Sequence, residues 1–345
     1  MRATFVFPNP RAELLVGIEA GTEPDSTLLG ANHLVELGID ARIHDALLSR
    51  HGLPPILNRI AWHLRELTVP FEVGRSDVVF TPLANVLPLA GRLRALPIVV
   101  VNYGLNLIWR RSSASRRALL GRSLRSAACV VCLGESQREE LVQSVALDET
   151  RSKTLPLPVD DVFFSPRRNG EQATTVLTVG KDLARDYGTF VAAISGLEAP
   201  VQLAVYPRNL QGLELPRNAH ARIFSSTELR EAYAAAGCVV LPQRADDYAY
   251  GSEGGGLTAL LEGMAMAKPI VATDRAILRD YVEDGVDAIL VPPEDPSALR
   301  EAIVRVLSDR ELAERLGASA RARVERDHTT RGFAARLVPL LTSVV

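Results

Sequence analysis

Short apolar runs alternate with amphipathic stretches along almost the whole chain, and this alternation is the feature that most restricts its fold. Each apolar run is long enough for one buried strand, and each stretch between two runs has the period of a helix with one packed face. Strands joined through helices pair in parallel, because the crossover helix returns the chain to the same end of the sheet. The pattern therefore predicts α/β domains with doubly wound parallel sheets.

The alternation forms two series, and a proline-rich passage separates them. A chain of 345 residues is longer than one hydrophobic core usually covers, so two domains are expected. The passage Pro156–Pro166 and the polar residues 167–172 after it are typical of a linker. We therefore predict an N-terminal domain over residues 1–165 and a C-terminal domain over residues 170–328, facing each other across a cleft. A last helix within residues 330–345 is expected to cross back to the N-terminal domain.

The elements of each series can be placed from their patterns. The predicted strands are Thr4–Phe7, Asp40–His44, Val78–Phe80, Ile98–Val101, Cys129–Leu133 and Ser152–Leu155, then Thr175–Val179, Val201–Val205, Ala221–Phe224, Cys238–Leu241, Ile270–Ala272 and Ala288–Val291. The predicted helices are Leu28–Leu37, Ile56–Leu67, Val86–Arg94, Ser115–Arg125 and Ser136–Ser144, then Tyr187–Ile194, Ser226–Ala235, Leu257–Ala267, Ser297–Leu307 and Arg331–Leu341.

Charge and cysteine content exclude several classes of protein. A net charge of −2 gives no reason to expect binding to nucleic acid. No run approaches the ~20 apolar residues that cross a bilayer, and three cysteines suit a reducing compartment, so a cytoplasmic location is expected. Cys129 and Cys132 have the spacing of a metal or redox motif, but they lie in an apolar run that predicts a strand. Positions i and i+3 of a strand point to opposite faces, so both are interpreted as core residues.

A glycine triplet before a predicted helix is the most informative segment for function. Gly254–Gly256 let the backbone come close to a bound group. A helix that begins near Leu257 or Thr258 points free amides and its positive dipole end at the same place, which suits a diphosphate. Glu262, about one turn into the helix, suits the hydroxyls of a ribose. The alternative is an ordinary strand-to-helix turn with a solvated glutamate.

Two cations are predicted beside that turn. Lys181 and Arg185 lie in the loop after the first strand of the second series, at the ligand end of the sheet. Positive charge there stabilises a diphosphate as a leaving group. In the alternative interpretation both are exposed cations paired with Asp182 and Asp186.

Several of these segments resemble the retaining glycosyltransferase family 4, which has the GT-B fold. The segment Gly256–Asp274 is similar to the donor-helix signature of that family, and Gly285–Leu299 to the stretch that follows it. Ala127–Leu141 resembles the last strand and helix of the family's N-terminal domain, and Leu155–Asp160 its interdomain passage. The resemblance implies a hexosyl transferase that keeps the anomeric configuration, needs no metal or other cofactor, and uses a nucleotide-sugar donor.

The resemblance also implies roles for particular residues. Lys181 stands where the family has a basic residue that contacts the diphosphate, and Arg185 stands near the second one. Glu262 matches the second glutamate of the family's paired motif, which binds the ribose. The first glutamate normally lies eight positions earlier, at Gly254 here, so we expect the loop to carry one extra residue and Glu253 to take that role. The predicted catalytic residues are Lys181, Arg185 and Glu253, and the predicted donor-binding residues are Gly254, Gly255, Gly256, Leu257, Thr258 and Glu262.

The N-terminal half departs further from the family. Gly21 and Thr22, where the family often has paired glycines, are expected either to approach the donor or to belong to an ordinary surface loop. Many family members have a histidine after the strand that ends near Val101, whereas this chain has Asn102 and Tyr103. We expect these two residues on the acceptor side, with the donor phosphate rather than a protein base taking the acceptor's proton. The six histidines show no metal-ligand pattern.

Six arginines and no acidic residue lie between Arg110 and Arg125. A basic amphipathic helix there predicts peripheral contact with an anionic membrane at its inner face, which favours a lipid-linked acceptor. A solvated helix face is the other interpretation, and a glycan or small-molecule acceptor then fits equally well.

Two further functions remain open at this point. A GT-B epimerase or phosphorylase uses the same cleft, although an epimerase needs acid–base groups that the histidine positions do not supply. A catalytically inactive binding partner is the other, because Glu253 is displaced and the histidine is missing. A dinucleotide-dependent oxidoreductase ranks last, since no GxGxxG follows the first strand.

Overall fold

The computed structural model describes residues 1–45, 55–166 and 174–345, with side chains throughout these ranges except at 55–63. The described chain divides into two compact units, one made of residues 1–20, 27–156 and 331–345 and the other of residues 21–26 and 157–330. The passage 157–166 therefore groups with the second unit, although we expected the first domain to extend to residue 165. Its backbone explains this, because the Leu157 amide donates to the Tyr281 hydroxyl at 2.8 Å. The remainder of the predicted linker and the expected domain start at residue 170 lie outside the described residues.

The first unit is a parallel sheet with helices between its strands. Its strands are β1 (Arg2–Val6), β2 (Asp40–His44), β3 (Val78–Thr81), β4 (Ile98–Asn102), β5 (Cys129–Cys132) and β6 (Ser152–Thr154), in the order β2-β1-β3-β4-β5-β6. Its helices are α1 (Ala12–Glu19), α2 (Pro55–Glu72), α3 (Leu87–Leu93), α4 (Leu105–Arg111), α5 (Ala114–Leu124) and α6 (Glu135–Val145). All pairings in this sheet are parallel, as the alternation predicts.

The second unit has the strand order of a dinucleotide-binding fold. Its strands are β7 (Thr175–Val179), β8 (Val201–Ala204), β9 (Ala219–Arg222), β10 (Ala236–Leu241), β11 (Ile270–Thr273) and β12 (Ile289–Val291), in the order β12-β11-β10-β7-β8-β9. Its helices are α7 (Tyr187–Ile194), α8 (Ser226–Ala235), α9 (Leu257–Ala265), α10 (Ala276–Arg279), α11 (Pro296–Ser308) and α12 (Arg310–Asp327). A last helix, α13 (Thr330–Ser343), follows α12, and residues 331–345 group with the first unit.

The predicted helix at Leu28–Leu37 is wrong. Three short 3-10 turns occupy this stretch, at Asp25–Leu28, Ala31–His33 and Val35–Leu37. Leu29 and Gly30 have φ values of 53° and 73°, in the left-handed region, so a right-handed helix cannot pass through them. Apolar spacing alone therefore did not determine the backbone here.

Residues 21–26 pack with the second unit, outside the first unit that precedes and follows them in sequence. The Asp25 amide donates to Asp160 Oδ2 at 3.0 Å, and Glu23 Oε2 accepts from Ser226 Oγ at 2.5 Å. The Glu23 carboxylate thus lies beside Ser226, the first residue of α8, where the helix dipole favours negative charge. The stretch is thus held by specific contacts and is not a simple surface loop.

The CxxC pair is part of the hydrophobic core. Cys129 and Cys132 are free, buried residues at the two ends of β5. Burial raises the pKa of Cys129 to about 11 and that of Cys132 to about 12, so both stay protonated at neutral pH. The interpretation of both residues as core hydrophobes agrees with this placement.

Candidate functional site

The candidate site lies in the second unit, where the strand order changes direction. Strands β8 and β9 follow one another on one side of β7, and β10 lies on its other side. Ligands of open parallel sheets bind outside the carboxyl ends of the strands at such a point. The loops after β7 and β10 carry residues 180–186 and 242–256, and an antiparallel bridge between Arg185 and Gln243 joins them. The fold thus brings together two segments that are about 60 residues apart in sequence.

Helix α9 begins without a side-chain cap. Gly256 precedes it in the left-handed region with φ at 99°, and Leu257 is buried while Thr258 is exposed. A Cβ at Gly256 would lie 2.9 Å from Gln243 Nε2, which also donates to the Gly255 carbonyl. Both the backbone conformation and the contact require glycine at this position. No side chain caps the first turn of α9, and of its amides that of Leu257 donates to the Gly254 carbonyl.

The Asp182 carboxylate accepts hydrogen bonds from both loops of the site. Its Oδ1 accepts from the Ala184 amide at 2.7 Å, and its Oδ2 accepts from Ser252 Oγ at 3.4 Å. A Cβ at Gly255 would lie 3.0 Å from the Asp182 carboxyl carbon, so the glycine allows this close approach. Asp182 thus connects the loop after β7 to the loop after β10. It does not form the ion pair considered in the alternative interpretation.

Arg185 carries a buried charge. Its side chain is 7% exposed and lies against Gly180, and its Nε and Nη1 atoms are buried without a hydrogen-bond acceptor. Asp186, its partner in the alternative interpretation, caps α7 and pairs with Arg244 at 3.1 Å. Because a buried guanidinium without an acceptor is unfavourable, these two atoms are suited to bind an anion.

Glu262 lies near Arg185 and is also buried, with 8% exposure. Its Oε2 accepts a hydrogen bond from the Tyr233 hydroxyl at 2.9 Å. Burial raises the pKa of Glu262 from 4.5 to about 7, and the Tyr233 bond and the positive charge of Arg185 both oppose that rise. The site therefore holds a cation and a titratable carboxyl group within electrostatic range of each other.

Lys181 has a different environment. Its side chain is exposed, and its ammonium lies 5.7 Å from the centre of the Tyr206 ring. Together with Tyr206, Pro207 and Arg208 it lines a cavity of about 400 Å³ at the ends of β7 and β8. In the part of the chain that the structure describes, no hydrogen bond or ion pair joins Lys181 to Arg185 or Glu262. Of the two predicted cations, the structure thus places Arg185 with Glu262 and Lys181 at the adjacent cavity.

Glu253 lies in the turn before the triplet and is 9% exposed. The Gly255 amide donates to the Ser252 carbonyl at 3.0 Å, and the Leu257 amide donates to the Gly254 carbonyl at 3.3 Å. These two bonds make two consecutive turns, and the extra loop residue in the glutamate spacing stays a prediction. The contact of Glu253 with a transferred sugar stays a prediction.

Asn102, expected on the acceptor side, is completely buried. Its Oδ1 accepts from the Leu105 amide at 2.7 Å, and its Nδ2 donates to Asn106 Oδ1 at 3.1 Å. Both ends of the side chain thus satisfy groups at the start of α4, which leaves neither end for an acceptor. This is a correction to the expected acceptor role of Asn102. Tyr103, the next residue, is 37% exposed, so part of its side chain is accessible to solvent.

An Asn102→Ala variant should be less stable by about 1 to 3 kcal/mol, because the Leu105 amide and the Asn106 side chain lose their buried partner. Urea unfolding followed by circular dichroism measures this difference. The affinity for a nucleotide should stay within twofold of wild type. A large loss of affinity with unchanged stability would restore the ligand role.

The arginine-rich segment is not one amphipathic helix. Helices α4 and α5 meet at Ser112 and Ser113, and Ser113 caps α5. The apolar positions Leu120 and Leu124 belong to the core of the first unit, and Arg110 pairs with Glu140 at 3.0 Å. Leu120 and Leu124 are thus covered by protein, whereas Leu119 is 43% exposed, and peripheral membrane contact stays a prediction. In the described ranges, no helix is long and apolar enough to cross a bilayer.

The described residues of this site do not form a set of metal ligands. Within residues 1–45, 55–166 and 174–345, the acidic, histidine and cysteine side chains form no group of three or more that could hold an ion. Asp246 instead pairs with Arg275 at 2.8 Å.

Three residues of the site were not predicted from the sequence. Tyr233 has the apolar spacing of a core residue on α8, and Asp182 was considered only as an ion-pair partner. Gln243 follows Pro242 at the end of β10, so the rule that places ligands at strand ends was the signal that could have found it. Its Oε1 atom is buried and has no hydrogen-bond partner.

Sequence comparison agrees with this geometry. The family described as glycosyl transferases group 1 matches residues 166–323, which include all of the loops and α9. The C-terminal part of the chain is thus similar to the group 1 glycosyltransferases. Two relatives of this chain are the D-inositol 3-phosphate glycosyltransferase of Geodermatophilus obscurus, 37% identical over 130 residues, and the alpha-D-kanosaminyltransferase of Streptomyces kanamyceticus, 35% identical over 82 residues. The aligned segments cover 37% and 24% of this chain but only 25% and 19% of those relatives.

Comparison with solved structures extends to the whole chain. Anabaena HepE in complex with UDP and glucose matches with a TM-score of 0.73 and 13% identity, over 99% of this chain and 100% of that chain. The glycosyltransferase WaaG matches with a TM-score of 0.71 and 15% identity, over 99% and 100% of the two chains. At this identity the likeness concerns the fold alone, and it confirms the predicted GT-B architecture.

Proposed function

We propose that this protein is a retaining glycosyltransferase that moves a sugar, in the first instance a hexose, from a nucleotide-sugar donor to an acceptor hydroxyl. The donor diphosphate binds Arg185 and the first amides of α9, and its ribose binds Glu262. Lys181 lies in the same loop as Arg185 and contributes positive charge from the adjacent cavity. Glu253 is assigned to the transferred sugar, and Tyr103 to the acceptor side.

One observation carries the proposal. The guanidinium of Arg185 is buried with two unpaired nitrogen atoms, in a loop that is bridged to the loop of the glycine-rich turn. Its positive charge lowers the pKa of Glu262. A nucleotide diphosphate offers the oxygens that such nitrogen atoms bind, and its ribose offers the hydroxyls that a carboxylate binds. A small neutral metabolite would leave the buried cation unpaired.

The bond changes follow from this placement. The bond from the anomeric carbon to the donor phosphate oxygen breaks, and the acceptor oxygen bonds to the same face of that carbon. The acceptor proton passes to the leaving phosphate oxygen, so no protein base is needed. Arg185 and the α9 amides stabilise the negative charge that develops on the leaving diphosphate.

The comparisons support the donor class. HepE was solved with UDP and glucose, and the two sequence relatives carry the names of a glycosyltransferase and a kanosaminyltransferase. The base, the sugar and the acceptor of this chain, whether glycan, lipid-linked or small molecule, are separate questions that a screen answers.

Thermal unfolding with nucleotide diphosphates and their sugars tests the proposal. The nucleotide that binds, whether UDP, GDP, ADP or dTDP, should stabilise the protein by ~2.7 kcal/mol when its free concentration is 100 times its dissociation constant. Products are then measured with and without a panel of acceptors. Transfer supports the proposal, an epimerised donor supports an epimerase, and binding without turnover supports an inactive partner. The absence of any stabilisation would contradict all three.

A further inference from the structure

We infer that Tyr233 is a positioning residue that adapts to the proton on Glu262, so that binding of a nucleotide ribose releases a proton from the site. The inference rests on the proposed function, because it concerns how the donor is held. It adds Tyr233 to the site and a pH dependence to the nucleotide affinity, neither of which the overall reaction requires.

The hydroxyl of Tyr233 has two acceptors within reach. It lies 2.9 Å from Glu262 Oε2 and 3.2 Å from the carbonyl oxygen of Ala259. The side chain is completely buried, and its ring packs edge-on against Phe164 with centroids 5.9 Å apart. Since one hydroxyl has a single proton, it donates fully to only one of the two oxygens at a time.

These positions suit both protonation states of Glu262 without moving heavy atoms. When Glu262 is a carboxylate, Tyr233 donates to its Oε2. When Glu262 is protonated, its carboxyl hydrogen is donated to the Tyr233 oxygen, and the Tyr233 hydrogen turns to the Ala259 carbonyl. Both states then have satisfied hydrogen bonds, so the site holds either one in a single geometry.

The surrounding charges set which state prevails. Burial favours the neutral acid, and Arg185 and the Tyr233 hydroxyl favour the carboxylate, which places the pKa of Glu262 at about 7. Tyr187 is the other titratable group nearby, and burial raises its pKa to about 12, so it stays neutral. The unliganded site is therefore a mixture of the two states at neutral pH.

Ribose hydroxyls bind as donors, and they therefore require the carboxylate. Below pH 7 the ligand must displace a proton, which passes from the Glu262 carboxyl group to the buffer. Affinity should then rise with pH, approaching tenfold per unit well below the midpoint, and become constant well above it.

Calorimetry with UDP tests this on the wild-type protein, with GDP, ADP and dTDP used in turn if UDP does not bind. Titrations at pH 6 in buffers of different ionisation enthalpy should show the release of close to one proton per nucleotide, and almost none at pH 9. A value near zero at pH 6 would overturn the inference even though nucleotide binding itself is intact.

The Tyr233→Phe variant tests the residue. Losing the bond that favours the carboxylate should move the midpoint of affinity against pH upward by about one unit. Tyr281→Phe is the matched control, because Tyr281 is also buried and loses a hydrogen bond, to the Leu157 amide. It should leave the midpoint unchanged.

Three outcomes separate the possible failures. An equal loss of affinity at every pH in Tyr233→Phe would mean that Tyr233 only supports the fold. A Glu262→Gln variant with an unchanged pH profile would assign the proton to another group, and both results overturn the inference alone. Failure of all four nucleotides to bind wild type at any pH would overturn the proposed function, and the inference with it.

Discussion

Replacing Arg185 with alanine should lower kcat/KM for sugar transfer by about 100- to 1,000-fold, with a matching loss of nucleotide affinity. Preorganised groups that face developing charge contribute on this scale, about 3 to 4 kcal/mol. Among the described residues Arg185 forms no ion pair, and its Nε and Nη1 atoms have no acceptor, so we expect the variant to remove the proposed ligand contact rather than an ion pair of the fold. Its unliganded stability should accordingly be no lower than that of wild type.

The measurement is steady-state transfer together with unfolding of the ligand-free protein. Arg279→Ala is the control, because Arg279 is 67% exposed and pairs with Asp274 in the same unit. It should keep wild-type kcat/KM, since an exposed pair contributes little. Wild-type activity in the Arg185 variant would show that the diphosphate is held elsewhere, with the Lys181 cavity as the next candidate.

Glu262→Gln should have opposite effects on binding and on stability. An amide cannot accept hydrogen bonds with both of its terminal atoms, so nucleotide affinity at pH 8 should fall about 10- to 100-fold. The ligand-free protein should become more stable at the same pH, because the buried carboxylate is itself unfavourable. Few substitutions near a binding site are expected to combine these two effects.

The sign and size of the stability change follow from the pKa. Burial raises the pKa of Glu262 from 4.5 to about 7, so ionisation favours the unfolded chain once the pH exceeds 4.5. Wild-type stability therefore falls as pH rises from 4.5 to 7, and the full difference is present above 7. At 1.36 kcal/mol per unit this amounts to about 3 kcal/mol, an upper value for the gain in Glu262→Gln at pH 8.

Urea unfolding at pH 5 and pH 8 measures this difference, which should be small at pH 5. Equal stability of wild type and variant at pH 8 would indicate that Glu262 is solvated in the ligand-free protein. Loss of binding without any gain in stability would then support the assignment of the ribose contact to Glu262 but remove the basis of the pH dependence.

The strands were the most predictable part of the fold. The run Ile98–Val101 is apolar on consecutive residues, which occurs where a strand is covered on both faces. A central strand of a doubly wound sheet has that environment, so pattern and position agree. At an edge the agreement weakens, and β9 lies at Ala219–Arg222, two residues before its predicted place. Only its first residue is buried, so there was little apolar signal to locate it.

Predictions failed where the backbone conformation or a hydrogen bond to a neighbouring residue overrides the apolar or polar pattern. At residues 28–37 the apolar spacing favours a helix, but two residues in the left-handed region divide it into turns. Asn102 is polar at a strand end, which suggests a ligand contact, yet Leu105 and Asn106 use its hydrogen bonds. A polar residue after a strand can form hydrogen bonds with the start of the next helix or with a ligand. The residues that surround it determine which of the two occurs.

By itself the sequence determined the class of fold, the glycine-rich start of α9, and the positions of Arg185 and Glu262. These features depend on period, turn chemistry and helix polarity, which act over a few residues. Tertiary structure decided that Arg185 is buried without an acceptor, that Lys181 faces Tyr206, and that Tyr233 reaches Glu262. Burial and hydrogen-bond partners depend on which segments the sheet order brings together, and no short stretch of sequence specifies that.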